Sequence, residues 1–297
     1  MSLFDLPLYE GLPLGYTGLF VMIGAVIGSF FNVLALRWPG YQIAKNDEEA
    51  ALWAWLRSSK RQSLKFNSAT EIPSLMSGRS HCPNCKCAIP LYLNIPILSW
   101  VMLRGKSLCC SKPIKFQYLA FELIGAIIFL SIAMTVGPSM YGLLLGCVLM
   151  VLCLSAWIDA TEGFIPDELI FAGFVLVYLL ATGPHWIDIQ QTFAFHMASF
   201  FCIMIPFKLI SIIRGQDGMG YADFHLIGLC GALLGPRIGW MVIPLFPLLI
   251  ATFFVYKSGL IKRGLFVSIV GTTGFPAGPA IVLSTLGVTT LIMTGIL

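Results

Sequence analysis

Two aspartates and one group of cysteines combine residue type and spacing in a way that can do chemistry. Asp159 opens the run Asp-Ala-Thr-Glu-Gly-Phe-Ile-Pro-Asp at the end of one apolar segment. Asp223 closes Gly218-Met219-Gly220-Tyr221-Ala222-Asp223 between two others. An ionisable group at the mouth of a membrane helix is costly and reads as a functional site. Each aspartate neighbours helix-interrupting residues, Gly163 and Pro166 for the first, Gly218 and Gly220 for the second. Irregular backbone at that depth is tolerated where it lines a wet cavity, and hydrolysis needs water. Two carboxylates that face one another do not both ionise easily. One keeps a proton and acts as acid while the other activates water, and the two titrate as a pair. The plainer alternative is that each aspartate caps its helix or reaches the headgroups. That alternative is weaker for Asp159, because a carboxylate at a helix C-terminus opposes the dipole. Glu162 is a rival partner in the same loop. Asp167 and Glu168 are expected to cap the following helix. His225, two residues past Asp223, is placed to assist it, but an interfacial role is the plainer expectation.

The cysteines suggest a metal. Cys82-x-x-Cys85 is followed about two dozen residues later by Cys109-Cys110, a zinc-ribbon-like spacing. Such a site folds a loop too small to fold alone. The second pair is adjacent, and Ser107 stands where a second Cys-x-x-Cys would begin. Cys82, Cys85, Cys109 and Cys110 are the candidate ligands, with Cys87 as an alternative fourth and an empty loop as the plain reading. His81 is the only histidine nearby, so a zinc here is structural, not catalytic. Cys147, Cys153, Cys202 and Cys230 lie in apolar segments and read as small packing residues.

The surrounding elements are membrane helices. Of 297 residues 58% are hydrophobic and 11% charged, whereas a soluble domain carries roughly a quarter charged residues. Twelve of the 18 Lys and Arg fall between Arg37 and Lys115. By the positive-inside rule that stretch is cytoplasmic. Its basic residues flank membrane segments, so the partner expected is lipid, not nucleic acid. The segment Tyr16 to Leu36 is expected to be retained as a first span, since no basic residue precedes it; Gly24, Gly28 and Ser29 suit it to close helix contact. Arg37 closes it, and Asp47 to Arg57 reads as a separate short amphipathic helix. Leu91 to Leu103 is too short to cross about 30 Å of hydrocarbon. Further spans are expected at Phe116–Val136, Met140–Ile158, Leu169–Thr182 and Gln190–Ile213. Phe224–Tyr256 is broken at Gly235-Pro236-Arg237 into two. The last, within Leu265–Leu297, has a broken or re-entrant start. The fold class is therefore an all-α polytopic membrane protein of about eight helices with a cytoplasmic cysteine-containing insert. Residues 1–36 form an outer terminus and first helix, 37–115 the insert, and 116–297 a membrane core of about seven helices. Both aspartates then face the cytoplasm.

In this order the pieces resemble the bacterial type IV prepilin peptidases, membrane aspartic proteases that process prepilins and type II secretion pseudopilins. The resemblance covers nearly the whole chain. It is carried by Gly28-Ser29-Phe30-Phe31-Asn32-Val33 with Arg37 and Pro39, by Cys82-Pro83-Asn84-Cys85, by Asn94 to Trp100, and by Leu103-Arg104-Gly105-Lys106. Phe121-Glu122-Leu123, Asp159 with Ile165-Pro166-Asp167, the Gly218–Asp223 run and the Phe275–Pro279 turn complete it. The resemblance implies catalytic roles for Asp159 and Asp223. It implies cleavage of a short basic leader after a glycine, at the cytoplasmic face of the bacterial inner membrane. It also implies methylation of the new N-terminal residue with S-adenosylmethionine, for which no glycine-rich strand–turn–helix fingerprint is present. Acidic Glu162, Asp167 and Asp217 would suit a basic leader. Two departures stand out. Ala222 replaces a glycine of the family's Gly-x-Gly-Asp, at a cost of about 1–2 kcal/mol if the position is left-handed, and Ser107 replaces a cysteine. His225 stands where lysine is usual.

Two other functions fit the same residues less well. A proton- or cation-coupled transporter would use the carboxylates as a relay, but should show repeated halves and a midplane site. An inactive membrane scaffold is suggested by Ala222 and Ser107. Activity on a prepilin separates the three.

Overall fold

The computed structural model describes residues 14–57, 74–75, 82, 84–85, 87–90, 95–183, 188–215, 220–257 and 276–296. The His81, Asp217, Gly218 and Met219 readings, and the entry expected at Leu265, lie outside them. Every element among the described residues is helical, apart from isolated bridging such as that between Lys106 and Pro113. The helices are α1 (Leu14–Arg57), α2 (Leu98–Met102), α3 (Phe116–Thr135), α4 (Met140–Glu162) and α5 (Asp167–Ala181). They continue as α6 (Ile189–Arg214), α7 (Tyr221–Leu234), a 3₁₀ turn (Gly235–Met241), α8 (Val242–Lys257) and α9 (Gly278–Met293). Among the described residues, five stretches are long and apolar enough to cross a membrane: Gly15–Asp47, Phe116–Thr135, Met140–Glu162, Ile189–Ile213 and Tyr221–Leu245. The chain is an all-α polytopic membrane protein. Its outer surface is correspondingly apolar: Leu19, Ile127, Phe171, Phe193 and Ile212 stand exposed along the helix flanks. In water such a surface would aggregate; against lipid it is the favoured one.

Two readings of the first helix need correction. It does not stop at Leu36, and 47–57 is not a separate helix. One helix runs from Leu14 to Arg57 with Pro39 inside it. Proline removes one backbone hydrogen bond and crowds the preceding turn, so tertiary contacts must hold the extension. Trp38 and Ala44 are buried beyond the expected end. Arg37 Nη1 donates to the Leu75 carbonyl at 3.2 Å, and Lys45 Nζ lies 2.6 Å from Glu168 Oε1 at the start of α5. The ion pair is partly exposed and contributes at most about 1 kcal/mol; the buried Trp38 matters more. Glu168 and Asp167 also differ from expectation. The N-cap of α5 is Pro166, so the two acids occupy the first turn, where the helix dipole favours them.

Two glycine seams set the packing. On α1 and α3 the backbones touch. A Cβ on Gly24 would stand 2.5 Å from the Gly125 carbonyl oxygen, and the Phe121 carbonyl oxygen would lie closer still to one on Gly28. This is the small-residue contact expected for Gly24 and Gly28, and it lets dispersion act over the full seam. The second seam joins α6 to α7, where a Cβ on Gly231 would collide with Ser199 Oγ and come within 2.7 Å of the Phe195 carbonyl oxygen. Helix α7 is apolar on every side and packs on α5, α6 and α9. Leu226, Leu229, Cys230, Ala232 and Leu233 are fully enclosed, which makes α7 the central helix. Across the α1–α3 seam, Phe20 and Phe129 sit 5.1 Å apart.

Because the obstructing atoms at Gly28 are backbone, they cannot swing aside. Gly28→Val should cost about 1–3 kcal/mol in unfolding measured in detergent micelles. Gly18→Ala, whose Cβ would meet nothing within 4 Å, should leave the midpoint unchanged. Equal behaviour of the two variants would refute the seam.

Candidate active site

Helix α4 continues one turn past the expected end, to Glu162, and Gly163 closes it in the left-handed region at φ 71°. Asp159 therefore lies inside the last turn and is buried, only 6% exposed. The dipole objection to a carboxylate there is answered by another helix. Asp159 Oδ2 accepts the Gly278 N–H at 2.7 Å, and Gly278 is the first residue of α9. The carboxylate thus sits at the C-terminus of its own helix and at the N-terminus of α9, whose orphan N–H groups and dipole favour an anion. No side chain fits between them: a Cβ on Gly278 would stand 2.7 Å from Asp159 Oδ2 and 3.1 Å from Asp159 Cβ.

Asp223 is the third residue of α7 and is half-buried. Its Oδ2 accepts the Gly220 N–H at 3.2 Å. Glycine has no side chain to return the bond, so this is half of a capping box. The capping alternative is realised here, and it leaves the second carboxylate oxygen available. Ala222 is helical and partly buried against the core. Among the described residues, the non-glycine residues with positive φ are Ile97, Arg104 and Ser111. The cost foreseen for alanine in place of glycine therefore does not arise.

The ends of α4 and α7 bring the two carboxylates together closely enough for the charge of Asp223 to act on Asp159. Glu162 is also buried, one turn further along α4. His225 stacks on Phe200, with ring centroids 4.8 Å apart and planes at 28°.

The insert gathers the cysteines. The thiols of Cys82, Cys85, Cys109 and Cys110 all lie within 4.8 Å of one another. Cys82 Sγ is 3.7 Å from Cys110 Sγ, and Cys85 Sγ is 3.0 Å from Cys109 Sγ. A tetrahedral zinc with Zn–S bonds of about 2.3 Å separates its sulfurs by about 3.8 Å, so a small opening of the cluster admits the ion. Cys87 is outside it; its carbonyl instead accepts the Cys82 N–H at 2.9 Å and closes the first turn. Ser107 Oγ lies 3.4 Å from Cys82 Sγ and 3.1 Å from Cys109 Sγ. Hydrogen bonding from Ser107, then from the Cys85 and Asn84 backbone, holds the Cys82 thiol down to about 5. A thiolate of that kind is a ready ligand for a soft divalent metal. The donor set fits zinc.

One further feature lies between α1, α3 and the insert. A cavity of about 410 Å³ is lined by Ser29 and Arg37 of α1, Tyr118 and Glu122 of α3, and Trp100. Glu122 is buried, 8% exposed, and its Oε2 accepts the Ile97 N–H at 2.7 Å. Ile97 has φ 62° and ψ −52°, and the Leu98 N–H closes a three-residue turn on the Pro96 carbonyl. A β-branched residue in that conformation is strained. In the sequence Glu122 stands within Phe121-Glu122-Leu123, with no partner in view. The available signal was a lone acid two turns into an apolar span.

Residues 22–136 match the family described as Bacterial Peptidase A24 N-terminal domain, and residues 144–261 match the Type IV leader peptidase family. The chain is 32% identical to a prepilin leader peptidase/N-methyltransferase of Aeromonas hydrophila over 251 residues, 82% of this chain and 80% of the relative. The chain belongs to the type IV leader peptidase family. Proteins of the same description from Pectobacterium carotovorum (28% identical, 85% of each chain) and Neisseria gonorrhoeae (29% identical, 72% of each chain) are also similar to it. No solved structure matches it. As a member of this family the protein is a peptidase, and both aspartates fall within the segment that matches the peptidase family.

Gly278→Ala should lower leader cleavage by about tenfold or more, since displacing the carboxylate by a fraction of an ångström misplaces a positioned group. Gly220→Ala should do far less, because its Cβ would meet Asp223 Oδ2 at an ordinary 3.5 Å. An initial-rate assay on a prepilin decides, and equal rates would remove Gly278 from the site. For the insert, elemental analysis of purified protein should find about one zinc per chain. Cys109→Ser should lose it, and Ser107→Cys should retain it.

Proposed function

We propose that the protein is a membrane aspartic endopeptidase that removes the short basic leader from type IV prepilins, type II pseudopilins or both. Cleavage follows a glycine at the cytoplasmic face of the bacterial inner membrane. Asp159 and Asp223 carry the hydrolysis, and the new N-terminal amine is then methylated. The observation that supports this reading best is that two carboxylates 64 positions apart in sequence, on α4 and α7, lie near enough at one end of the bundle for the charge of Asp223 to reach Asp159. Glycine N–H groups hold one oxygen of each.

In the reaction, one carboxyl retains its proton and donates a hydrogen bond to the scissile carbonyl oxygen. The other, ionised, takes a proton from a water molecule as the water oxygen bonds to the carbonyl carbon. The tetrahedral adduct collapses with loss of the carbon–nitrogen bond. The leaving nitrogen takes a proton from the carboxyl that gained one from water. The products are a leader ending in a glycine carboxylate and a mature chain with a free amine. The Gly278 N–H orients Asp159 throughout, and burial at the helix ends limits water to what the reaction uses.

S-adenosylmethionine supplies the methyl group when bound. Cys82, Cys85, Cys109 and Cys110 would hold zinc, which would supply folding energy to the insert.

Cleavage of a purified prepilin in detergent tests the assignment. Asp159→Asn and Asp223→Asn should each fold, with unfolding midpoints near wild type, and lose about 100-fold or more in rate, the scale of a positioned acid or base. Full activity in either variant would overturn the two-aspartate mechanism.

A further inference from the structure

The second activity in the relatives' names needs a site for a methyl donor, and the carboxylate pair does not provide one. The segment outside the peptidase match, residues 22–136, contains the whole lining of the cavity between α1, α3 and the insert. We propose that this cavity binds S-adenosylmethionine, with Glu122 and Trp100 as its recognition residues. The proposal rests on the methyl-transfer half of the function proposed above.

The chemistry of the walls matches the ligand. S-adenosylmethionine carries a sulfonium, an ammonium, a ribose diol and a flat adenine. It therefore needs an anionic acceptor, an aromatic face and an apolar surround. At about 410 Å³, the cavity falls within the range of about 300–1,000 Å³ typical of small-molecule sites. Leu36, Ile89 and Leu103 give it an apolar lining. Glu122 supplies the anion. The Ile97 N–H is its donor, with Ser29 on the same wall, and a carboxylate has about four acceptor positions, so capacity remains for a ligand's hydroxyl or ammonium. Trp100 supplies the face, and aromatic faces attract cations, a sulfonium included. Its ring rests on Gly105, where a Cβ would stand 2.9 Å from Cζ2, and its indole N–H is buried without a partner. Arg37 adds a positive charge to the wall beside its bond to the Leu75 carbonyl.

The cavity is also held in a fixed shape. Glu122 locks the strained Ile97 turn that leads into the helix bearing Trp100. Strain of this kind persists where the surroundings over-determine it, and it gathers at ligand sites. The position suits a sequential reaction. Helices α3 and α4 form an antiparallel hairpin, and Phe121 packs on Trp157 at 5.4 Å between ring centroids. Glu122 follows Phe121 directly and Asp159 lies two residues after Trp157, so the cavity and the carboxylates share one end of the bundle. The amine released by hydrolysis is therefore formed beside the donor site. For transfer, the ammonium first gives a proton to water. The amine lone pair then forms the carbon–nitrogen bond as the carbon–sulfur bond breaks, and the sulfur keeps the bonding pair.

Full-length protein in detergent micelles would be titrated with S-adenosylmethionine tritiated on the methyl group, by equilibrium dialysis. It would then be photo-crosslinked to the donor and mapped by peptide mass. Trp100→Ala and Glu122→Gln should bind about tenfold more weakly or worse, the loss expected when a buried recognition side chain is removed. The label on wild type should fall within 95–122, and prepilin should displace no donor. Wild-type affinity in both variants, a label within 144–261, or displacement of donor by prepilin or phospholipid would each overturn the proposal. If a variant fails to fold, the wild-type crosslink alone decides. If wild type methylates processed prepilin yet the variants bind normally, only the site assignment falls. If wild type cleaves leaders but neither binds donor nor methylates, the methyl-transfer reading falls with it.

Discussion

A carboxylate enclosed in an apolar bundle must find hydrogen-bond donors within the protein, because lipid offers none. The bond from the Gly278 N–H to Asp159 meets that demand, and much of the architecture follows from it. The donor must come from a helix beginning at that depth, since only a first-turn N–H is free of the helix's own bonding. The chain therefore breaks before α9, and the break carries prolines: Pro276 precedes the helix and Pro279 occupies its first turn, where a missing N–H costs nothing. Position 278 must be glycine, because a side chain would occupy the place of the carboxylate. One hydrogen bond thus dictates where a helix starts, which residue starts it and what lies on either side.

The same logic explains why the central helix is short and glycine-bearing. Asp223 must sit at the start of a helix whose remainder is wholly enclosed. Helix α7 meets this by being apolar all round and by admitting α6 at Gly228 and Gly231. A single Cβ at Gly231 would separate the two backbones and shift Asp223 relative to Asp159. The α1–α3 seam fixes Glu122 in the same way, through Gly28 against Phe121. The α3–α4 hairpin connects the two arrangements. Both sites are set by backbone-to-backbone contacts, which leave less freedom than side-chain packing.

Much of this was legible in the sequence because membrane helices declare themselves by length and apolarity. The long spans, the break at Gly235-Pro236, the glycine contact on α1 and the placing of both aspartates at helix ends all follow from local composition. Three things were hidden. Pro39 is a reasonable stop signal, and only the burial of Trp38 and the contacts of Arg37 and Lys45 show that α1 overrides it. Asp159 stands against the dipole of its own helix, and the donor that offsets this lies 119 residues away on α9. Glu122 matched a motif but showed no purpose, because its environment is assembled from α1, α3 and the insert. In each case the deciding contact is long-range, and no local pattern encodes it.

The two departures from the family pattern have local physical answers. Ala222 occupies an ordinary helical position in the first turn of α7, where alanine is a favourable residue. Ser107 keeps a small polar group beside Cys82 and Cys109, while Cys109 brings its thiol to within 3.0 Å of Cys85. The tight turn at residues 107–111, closed by the Ser111 N–H on the Ser107 carbonyl at 2.8 Å, places positions 107, 109 and 110 around one point. A thiol can move from the first to the third position of that turn and still face the same partners. The serine that remains is suited to stabilise the Cys82 thiolate by hydrogen bonding. The substitution therefore leaves four thiols gathered around one point, with a serine hydroxyl beside two of them.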